Sequence, residues 1–330
     1  MKNKTTLTVL ALALAAPAAF AGSIFITSRG GGGGDLHQYS STGTLLQSIS
    51  GNGLVNAQGI TIGPNGNLLV INEAGANVLQ YNPATGAFIG TFATTNSFPQ
   101  PIVVGPDGNV YVGADTSVQK FNGTTGAFMG NFTSGNPLSD ITGIAFDAAG
   151  NLFVGTADSG SIFKYDSTGA FVSTFVSNNP TLSTGMGSLL FNGVNLLVAD
   201  TFGNSPAWGN QILAFAPNGT QLPDFAGGAN LNGPDGMAFG PDGLLYVLNY
   251  AGNTVVRYTA AGQFVDTFIA NAPSSMRGIV FVNDAGPGPG PSTVPAPGPA
   301  PSGVPEPSSV ALAAAGLVTV AALRSRKRPQ

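Results

Sequence analysis

The sequence predicts an all-β fold, a six-bladed β-propeller built from four-stranded blades. One motif order recurs along the chain, and starts at residues 59, 101 and 143 lie 42 residues apart. Each unit holds four short segments rich in Val, Ile, Phe and Tyr, bounded by Gly, Asn, Asp and Pro. Between residues 22 and 304, the hydrophobic residues show no helical period. A repeat near 40 residues with four short strands is typical of a propeller blade.

Tight turns separate the first two strands of the units. They read Gly63-Pro64-Asn65-Gly66, and Gly-Pro-Asp-Gly at 105–108 and 240–243. Pro presets φ for the turn, and the final Gly accepts a positive φ. The unit from 187 to 236 is longer, at 49 residues, and its extra residues are predicted between its second and third strands.

The number of units predicts how the ring closes. Five full units begin at 59, 101, 143, 187 and 236. Segments 24–27, 36–39 and 45–49 resemble strands two to four of a sixth, whose first strand is 278–282. The C-terminal strand should therefore pair beside the N-terminal one and leave no free sheet edge at the seam. The alternative is a seven-bladed or open array.

Residues 1–21 are predicted to be a secretory signal. Lys2 and Lys4 precede a short apolar run that Pro17 ends, and Ala19 and Ala21 are the small residues that a signal peptidase needs. The alternative, an N-terminal membrane helix, is disfavoured because the run is shorter than the roughly 20 residues that span a bilayer.

The C-terminal region predicts a spacer and a sorting tail. Residues 284–303 are rich in Pro and Gly and should form an extended linker. Pro305-Glu306-Pro307 is then followed by an apolar segment at 308–323 and a basic cluster at 324–328. The basic cluster should stay cytoplasmic, with 308–323 crossing the membrane and the propeller outside.

This tail, residues 304–330, resembles the PEP-CTERM sorting signal. The resemblance implies recognition by an exosortase-like enzyme and delivery to the cell surface or extracellular matrix. A simple membrane anchor without processing is the alternative.

The charge of the chain limits the classes of molecule that it can bind. The whole chain carries a formal charge of −4, but residues 22–304 hold five basic and fourteen acidic side chains. Such a domain is a poor nucleic-acid binder. It would be repelled by anionic polysaccharide unless a divalent cation such as calcium bridged the two. The chain has no cysteine, which excludes thiol catalysis and cysteine metal sites.

The repeats resemble NHL-type units, and residues 24–283 resemble the six-bladed propellers of the gluconolactonase and senescence-marker-protein group. That group holds a divalent metal near the axis with Glu, Asn and Asp ligands. Asp235, in Pro-Asp-Gly-Met, matches the Asp motif, but Gln58 stands at the Glu position and Thr184 near the Asn position. With one carboxylate of two, Asp235 is a weak metal candidate, and no cofactor is predicted.

Candidate binding residues lie at the axis and on one face. The central mouth is predicted to be lined by residues just before each first strand: Gln58, Gln100, Thr142, the 184–186 region, Asp235 and Arg277. Asp235 and Arg277 could form an ion pair between neighbouring blades. Ends of second strands and the long loop should bring Asp115, Asp200 and Trp208 to the same face, where Trp208 either stacks on a sugar ring or anchors its loop.

Three functions remain open. A surface propeller without catalytic activity that contacts polysaccharide or surface proteins is favoured, because no complete catalytic set is evident. The sole histidine, His37, cannot build a multi-histidine zinc site, and no activated serine or cysteine partner is evident. The second is a lactonase-like or other hydrolase with a divalent metal near Asp235. The third is a purely structural coat component.

Overall fold

The computed structural model describes residues 21–30, 33–182, 185–202 and 209–283. They form six four-stranded antiparallel sheets, which confirms the predicted six-bladed propeller and excludes the seven-bladed and open alternatives. Within this part of the chain, no helix is long and apolar enough to cross a membrane. Residues 1–20 of the predicted signal peptide, the whole predicted linker at 284–303 and the 308–323 segment lie outside the described residues.

Blade 1 joins the two ends of the domain. Its strand order is β24-β1-β2-β3, with Gly22 opposite Asn283 and Ile24 opposite Phe281. The predicted seam between the C-terminal and N-terminal strands is therefore confirmed. Its strands are β24 (Met276–Asn283), β1 (Gly22–Ser28), β2 (Asp35–Ser40) and β3 (Leu45–Ile49).

The other five blades each use four consecutive strands. Blades 2 and 3 comprise β4 (Ala57–Ile62), β5 (Leu68–Asn72), β6 (Asn77–Tyr81), β7 (Phe88–Thr94), β8 (Pro99–Val104), β9 (Val110–Ala114), β10 (Ser117–Phe121) and β11 (Phe128–Asn131). Blades 4 and 5 comprise β12 (Ile141–Phe146), β13 (Leu152–Thr156), β14 (Ser161–Tyr165), β15 (Phe171–Val176), β16 (Met186–Phe191), β17 (Leu196–Asp200), β18 (Gln211–Phe215) and β19 (Ala226–Gly227). Blade 6 comprises β20 (Pro234–Phe239), β21 (Leu245–Asn249), β22 (Thr254–Tyr258) and β23 (Phe264–Ile269).

The core is a ring of clusters between blades. Among the described residues, six buried clusters each combine side chains of two neighbouring blades. The second strands of blades 2 to 6 are buried at every position, as in Leu68–Asn72 and Leu245–Asn249. Both faces of a blade contact a neighbour, so these strands are buried throughout and mostly apolar rather than alternating.

The blade connections define two faces. The turns between first and second strands lie on one, which we call the turn face; Gly66 there has φ 82° and donates its N–H to the Gly63 carbonyl oxygen at 2.8 Å. The loops between second and third strands lie on the other, which we call the mouth face. β24 starts at the mouth face, so the chain leaves the propeller at Asn283 on the turn face.

The long connection of blade 5 joins its second and third strands, as the sequence predicted. The second strand ends at Asp200 and the third begins at Gln211, so this connection leaves and re-enters the blade on the mouth face. Residues 203–208 of this loop, including Trp208, lie outside the described residues.

Candidate functional site

Six first strands surround the propeller axis, and the second residue of each faces its mouth. We call these residues the mouth ring. Its members are Gln58, Gln100, Thr142, Gly187, Asp235 and Arg277. The sequence placed this lining just before the strands, which is wrong: the residues lie inside them. Thr184 lies outside the described residues, and the register puts Gly187 at the mouth in blade 5.

A register shift in each first strand positions the ring. In blade 2 it falls between Ala57 and Ile60, and in blade 6 between Pro234 and Met237. Such bulges bend a strand and redirect side chains at the inserted residues. The polar residue of the repeat is therefore aimed at the mouth while the rest of the strand keeps its ladder.

Glycine after the mouth ring lets neighbouring blades meet at the axis. A Cβ at Gly236 would lie 2.3 Å from the carbonyl oxygen of Arg277, and one at Gly278 would lie 2.9 Å from the backbone nitrogen of Ile60. Both contacts are shorter than real side chains show. The Gly that marks the start of most sequence units is therefore required by blade packing.

Beneath the polar mouth lies an apolar layer. One large side chain from each first strand lines it: Ile60, Ile102, Ile144, Leu189, Met237 and Ile279. The cavity measures about 120 Å³, room for a small group entering from the mouth. A polar rim over an apolar base is typical of a small-molecule or side-chain pocket.

Asp235 and Arg277 form the predicted ion pair between blades 6 and 1. The Arg277 Nη1 atom donates to Asp235 Oδ2 at 2.6 Å, and the guanidinium carbon lies 4.5 Å from the Tyr250 ring centroid. Asp235 is 6% exposed. Its burial raises the pKa of the Asp235 carboxyl above its usual value, although the Arg277 charge and hydrogen bond, and the more distant Arg29, oppose the shift.

A second ion pair flanks the mouth. Arg29 Nη2 donates to Glu73 Oε2 at 2.8 Å, and the same oxygen accepts a hydrogen bond from the Gln58 amide. Glu73 follows β5 and is brought over the mouth ring by the blade 2 loop. The sequence gave no sign of the contact between Glu73 and Gln58, since the two are fifteen residues apart.

The divalent metal implied by the lactonase resemblance does not fit these donors. Asp235 and Glu73 each hold an arginine, so neither carboxylate offers uncompensated charge to a hard cation. The glutamate expected at position 58 is a glutamine whose amide nitrogen already donates to Glu73. No reaction step is therefore derived through a metal.

The remaining predicted binding residues differ in accessibility. Asp115 is exposed at the tip of the blade 3 loop, as a face residue should be. Asp200 is 3% exposed at the end of β17 and is part of the blade interior. Gln58 is likewise buried, with 2% of its surface exposed. Its main link to the mouth face is the hydrogen bond that its amide donates to Glu73.

His37 has serine partners that the sequence did not reveal. Its Nε2 atom lies 3.0 Å from Ser28 Oγ, and its Nδ1 atom lies 2.9 Å from Ser48 Oγ. The sequence showed no activated serine partner for His37; the structure brings both hydroxyls to the ring because β1 and β3 flank β2. His37 is 7% exposed and Ser28 is 2% exposed, so the geometry supports a structural bridge rather than an accessible nucleophile.

Mild acid should destabilise the propeller through His37. Burial lowers the pKa of the His37 ring, and the nearby Asp35 charge only partly opposes this. The unfolded chain then binds the proton first, so stability falls as pH drops below about 6.5, the unfolded value. We expect wild type to lose more unfolding free energy between about pH 7.5 and 5 than His37→Gln does.

Urea unfolding at the two pH values measures that difference. Asp140 and Asp235 have raised pKa values and so act in the opposite direction, but they do so equally in both proteins. His37 is the chain's single histidine, which makes the comparison specific. Equal losses in the two proteins would contradict the assignment.

Comparison with known proteins identifies the tail. Residues 303–327 match the model of the PEP-CTERM protein-sorting motif, which indicates an exported protein processed by an exosortase-like enzyme. The match covers the tail and not the propeller. No curated protein matches the chain.

Solved structures share the propeller fold. A protein of unknown function from Bacteroides caccae superposes with a TM-score of 0.61 at 14% identity, covering 80% of this chain and all (100%) of that one. A chain of the nidogen/laminin complex gives 0.58 at 14% identity, with 78% and 97% covered. Virginiamycin B lyase from Staphylococcus aureus gives 0.50 at 17% identity, with 63% and 68% covered. At these identities the likeness concerns the fold alone.

Proposed function

We propose that this protein is an exported binding module that is held at the cell surface or in the extracellular matrix and binds its ligand on the mouth face. The observation that carries the proposal is the position of the chain end. The chain leaves at Asn283 on the turn face, toward the linker and sorting tail. A tether on that face leaves the mouth, with its cavity and polar ring, open to extracellular ligands.

Charge supports the same orientation. On the turn face, Lys120, Lys164 and Arg257 each pair with an aspartate. The mouth face carries Asp35, Glu73, Asp115, Asp140 and Asp158, with Arg29 and Arg277 as its described cations. The acidic mouth would be repelled by an anionic lipid surface, so the turn face suits the membrane side.

An enzymatic alternative has less support. A lactonase-like activity needs a metal or an accessible activated nucleophile, and the carboxylates of Asp235 and Glu73 beside the axis are both engaged with arginines. The binding role requires neither. The nidogen/laminin complex is itself an assembly that includes a chain with this fold, which agrees with a binding role for the scaffold.

Single-cysteine labelling tests the proposal on intact cells. The chain has no cysteine, so one introduced thiol reports one position. Val55 is 40% exposed on the mouth face, and Asn65 is exposed on the turn face. We expect a membrane-impermeant maleimide to label Val55→Cys in washed cells and to be blocked when extracellular material is left in place.

Asn65→Cys is the matched control and should be labelled equally in both preparations. Protection at Asn65→Cys with none at Val55→Cys would place the ligand on the wrong face. No labelling of either variant on intact cells would contradict surface display.

A further inference from the structure

One backbone position stands out on the mouth face. The residue before each first strand has a positive φ in all six blades: Asn56, Phe98, Asp140, Gly185, Gly233 and Ser275. Five of these are small or polar residues that tolerate this conformation, and the sixth is Phe98, with φ 53°. A bulky side chain is strained there, and Phe98 is also 62% exposed, so burial does not offset the strain.

The neighbouring loop explains why Phe98 is uncovered. The second and third strands of blade 3 are joined by only two residues, 115 and 116. The loops of blades 2 and 4 on either side have four residues each, 73–76 and 157–160. The rim of the mouth face is therefore lower at blade 3, and we call this depression the blade 3 notch.

The register places the floor of the notch. Pro99 pairs with Ala114. Phe98, just before β8, and Asp115, just after β9, therefore flank the same end of this strand pair. Gln100, two residues further, belongs to the mouth ring and donates its amide to Asp140 Oδ1 at 3.4 Å. An exposed aromatic side chain, an amide and two carboxylates thus belong to the mouth-face ends of blades 3 and 4, where the Asp115 charge acts on Asp140.

Two groups beside the notch add to its polar character. The Thr142 hydroxyl, which lines the axial cavity together with Gln100, is buried and has no hydrogen-bond partner among the described residues. Buried polar atoms are otherwise nearly always paired, so the mouth ring holds an unsatisfied hydroxyl next to the notch. The pKa of Asp140 is raised first by burial and then by the Asp158 charge, with Asp115 and Glu73 adding smaller contributions, and Gln100 opposes the shift.

We propose that the blade 3 notch binds one saccharide unit without negative charge, stacked on the Phe98 ring, with its hydroxyls donating to Asp115 and Asp140. This deepens the proposed binding function and rests on it. A flat aromatic face with a few placed acceptors suits the apolar face and hydroxyl edge of a sugar. The carboxylates repel uronate-rich polymers and nucleic acids, and hydroxyl-to-carboxylate hydrogen bonds are stronger than neutral ones.

Phe98→Asn is the discriminating variant because blade 2 carries Asn56 at the same position. Asparagine tolerates a positive φ, so the variant should melt at the same temperature as wild type or higher. It removes the stacking ring, and we expect it to weaken binding to an array of neutral glycans about tenfold or more. Phe98→Trp should keep the binding, and Asp115→Asn should reduce it.

Phe128→Ala is the matched control, since Phe128 is 56% exposed on the outer strand of the same blade. Residues 22–283 form a closed ring and serve as the protein for the array. Glycan binding that is lost in Phe98→Asn and kept in Phe128→Ala supports the notch.

Three outcomes would overturn the proposal, and they separate it from the binding function. If wild type binds neutral glycans and Phe98→Asn binds equally, the notch is wrong and the binding function stands. If wild type binds only uronate polymers or extracellular proteins, the ligand class is wrong. If wild type binds no glycan, no component of a matrix extract and no surface protein, both proposals fail.

Discussion

A propeller that ends at residue 275 should not form a stable ring. The lost strand, β24, supplies the innermost strand of blade 1 and pairs with β1 along most of its length. It also buries Met276, Ile279 and Val280 in the clusters on both sides of the blade. Burying three such side chains contributes about 6 kcal/mol, comparable to the whole stability of many domains.

Removal of β24 also exposes a sheet edge. Without β24, the backbone groups of β1 that face it are unpaired, while those facing β2 keep their partners. Phe25 and Ile26, both 0% exposed, lose part of their cover. An exposed apolar edge favours aggregation. We therefore expect the 22–275 protein to be aggregated or protease-sensitive, while 22–283 and 22–294 share one cooperative melting transition.

Circular dichroism melting and limited proteolysis of the three proteins measure this. Residues 284–294 lie beyond β24, so equal melting of the two longer proteins controls for chain length. If 22–275 melted within a few degrees of 22–283, ring closure would not depend on the seam, and the unit would be a stack that tolerates an open end.

The fold was accessible from sequence because a propeller repeats its signals. Mostly apolar second strands such as Leu68–Asn72 recur at one period, and so do the Gly-Pro-Asx-Gly turns. Each unit therefore supports the interpretation of the others. The seam was also predictable, because a unit lacking one strand at the N-terminus and a lone strand at the C-terminus complete each other.

The site was less accessible because its contacts cross blades. The Arg29–Glu73 pair joins residues 44 apart, and Asp235–Arg277 joins residues 42 apart. The repeat period aligns equivalent positions but does not state which side chain reaches its neighbour. Asp235 and Arg277 occupy one repeat position in adjacent units, which made their pair predictable. Arg29 and Glu73 also share a repeat position, because each directly follows a second strand, but the sequence did not show that their side chains meet. His37 and Ser28 lie on neighbouring strands within one blade.

Phe98 carried a signal that could have been used. Aligned units have Asn, Asp, Gly or Ser before the first strand, as at Asn56 and Asp140, whereas blade 3 has Phe. A residue type that breaks a repeat without a packing reason is a candidate for function. Only the structure shows that Phe98 is exposed and has a positive φ, the two properties that make this departure from the repeat significant.

Arg277→Ala should destabilise the propeller strongly. It leaves the Asp235 carboxylate buried without its guanidinium partner and removes the packing against Tyr250. Breaking a buried ion pair in this way costs about 3–5 kcal/mol. The double variant Asp235→Leu/Arg277→Met, which removes both charges, should recover most of the loss, since well-packed apolar replacements of buried pairs are often neutral.

The pH dependence of Arg277→Ala gives a second readout. Burial already raises the pKa of Asp235, and loss of Arg277, which opposes that shift, should raise it further. The folded variant then takes up a proton that the unfolded chain does not hold, so its stability deficit should shrink as pH falls from about 7.5 to 5. Urea unfolding of wild type and both variants at each pH measures the change.

A deficit that stays constant with pH would mean that the lost packing on Tyr250, rather than the unpaired Asp235 charge, dominates. A double variant as unstable as Arg277→Ala would carry the same meaning. If the charge dominates, as the 2.6 Å contact and the 6% exposure of Asp235 indicate, the mouth ring is held by an ion pair that a cationic metal would have to break. Such a pair therefore opposes metal binding at the axis, which is the physical basis for proposing a binding role rather than metal-dependent hydrolysis.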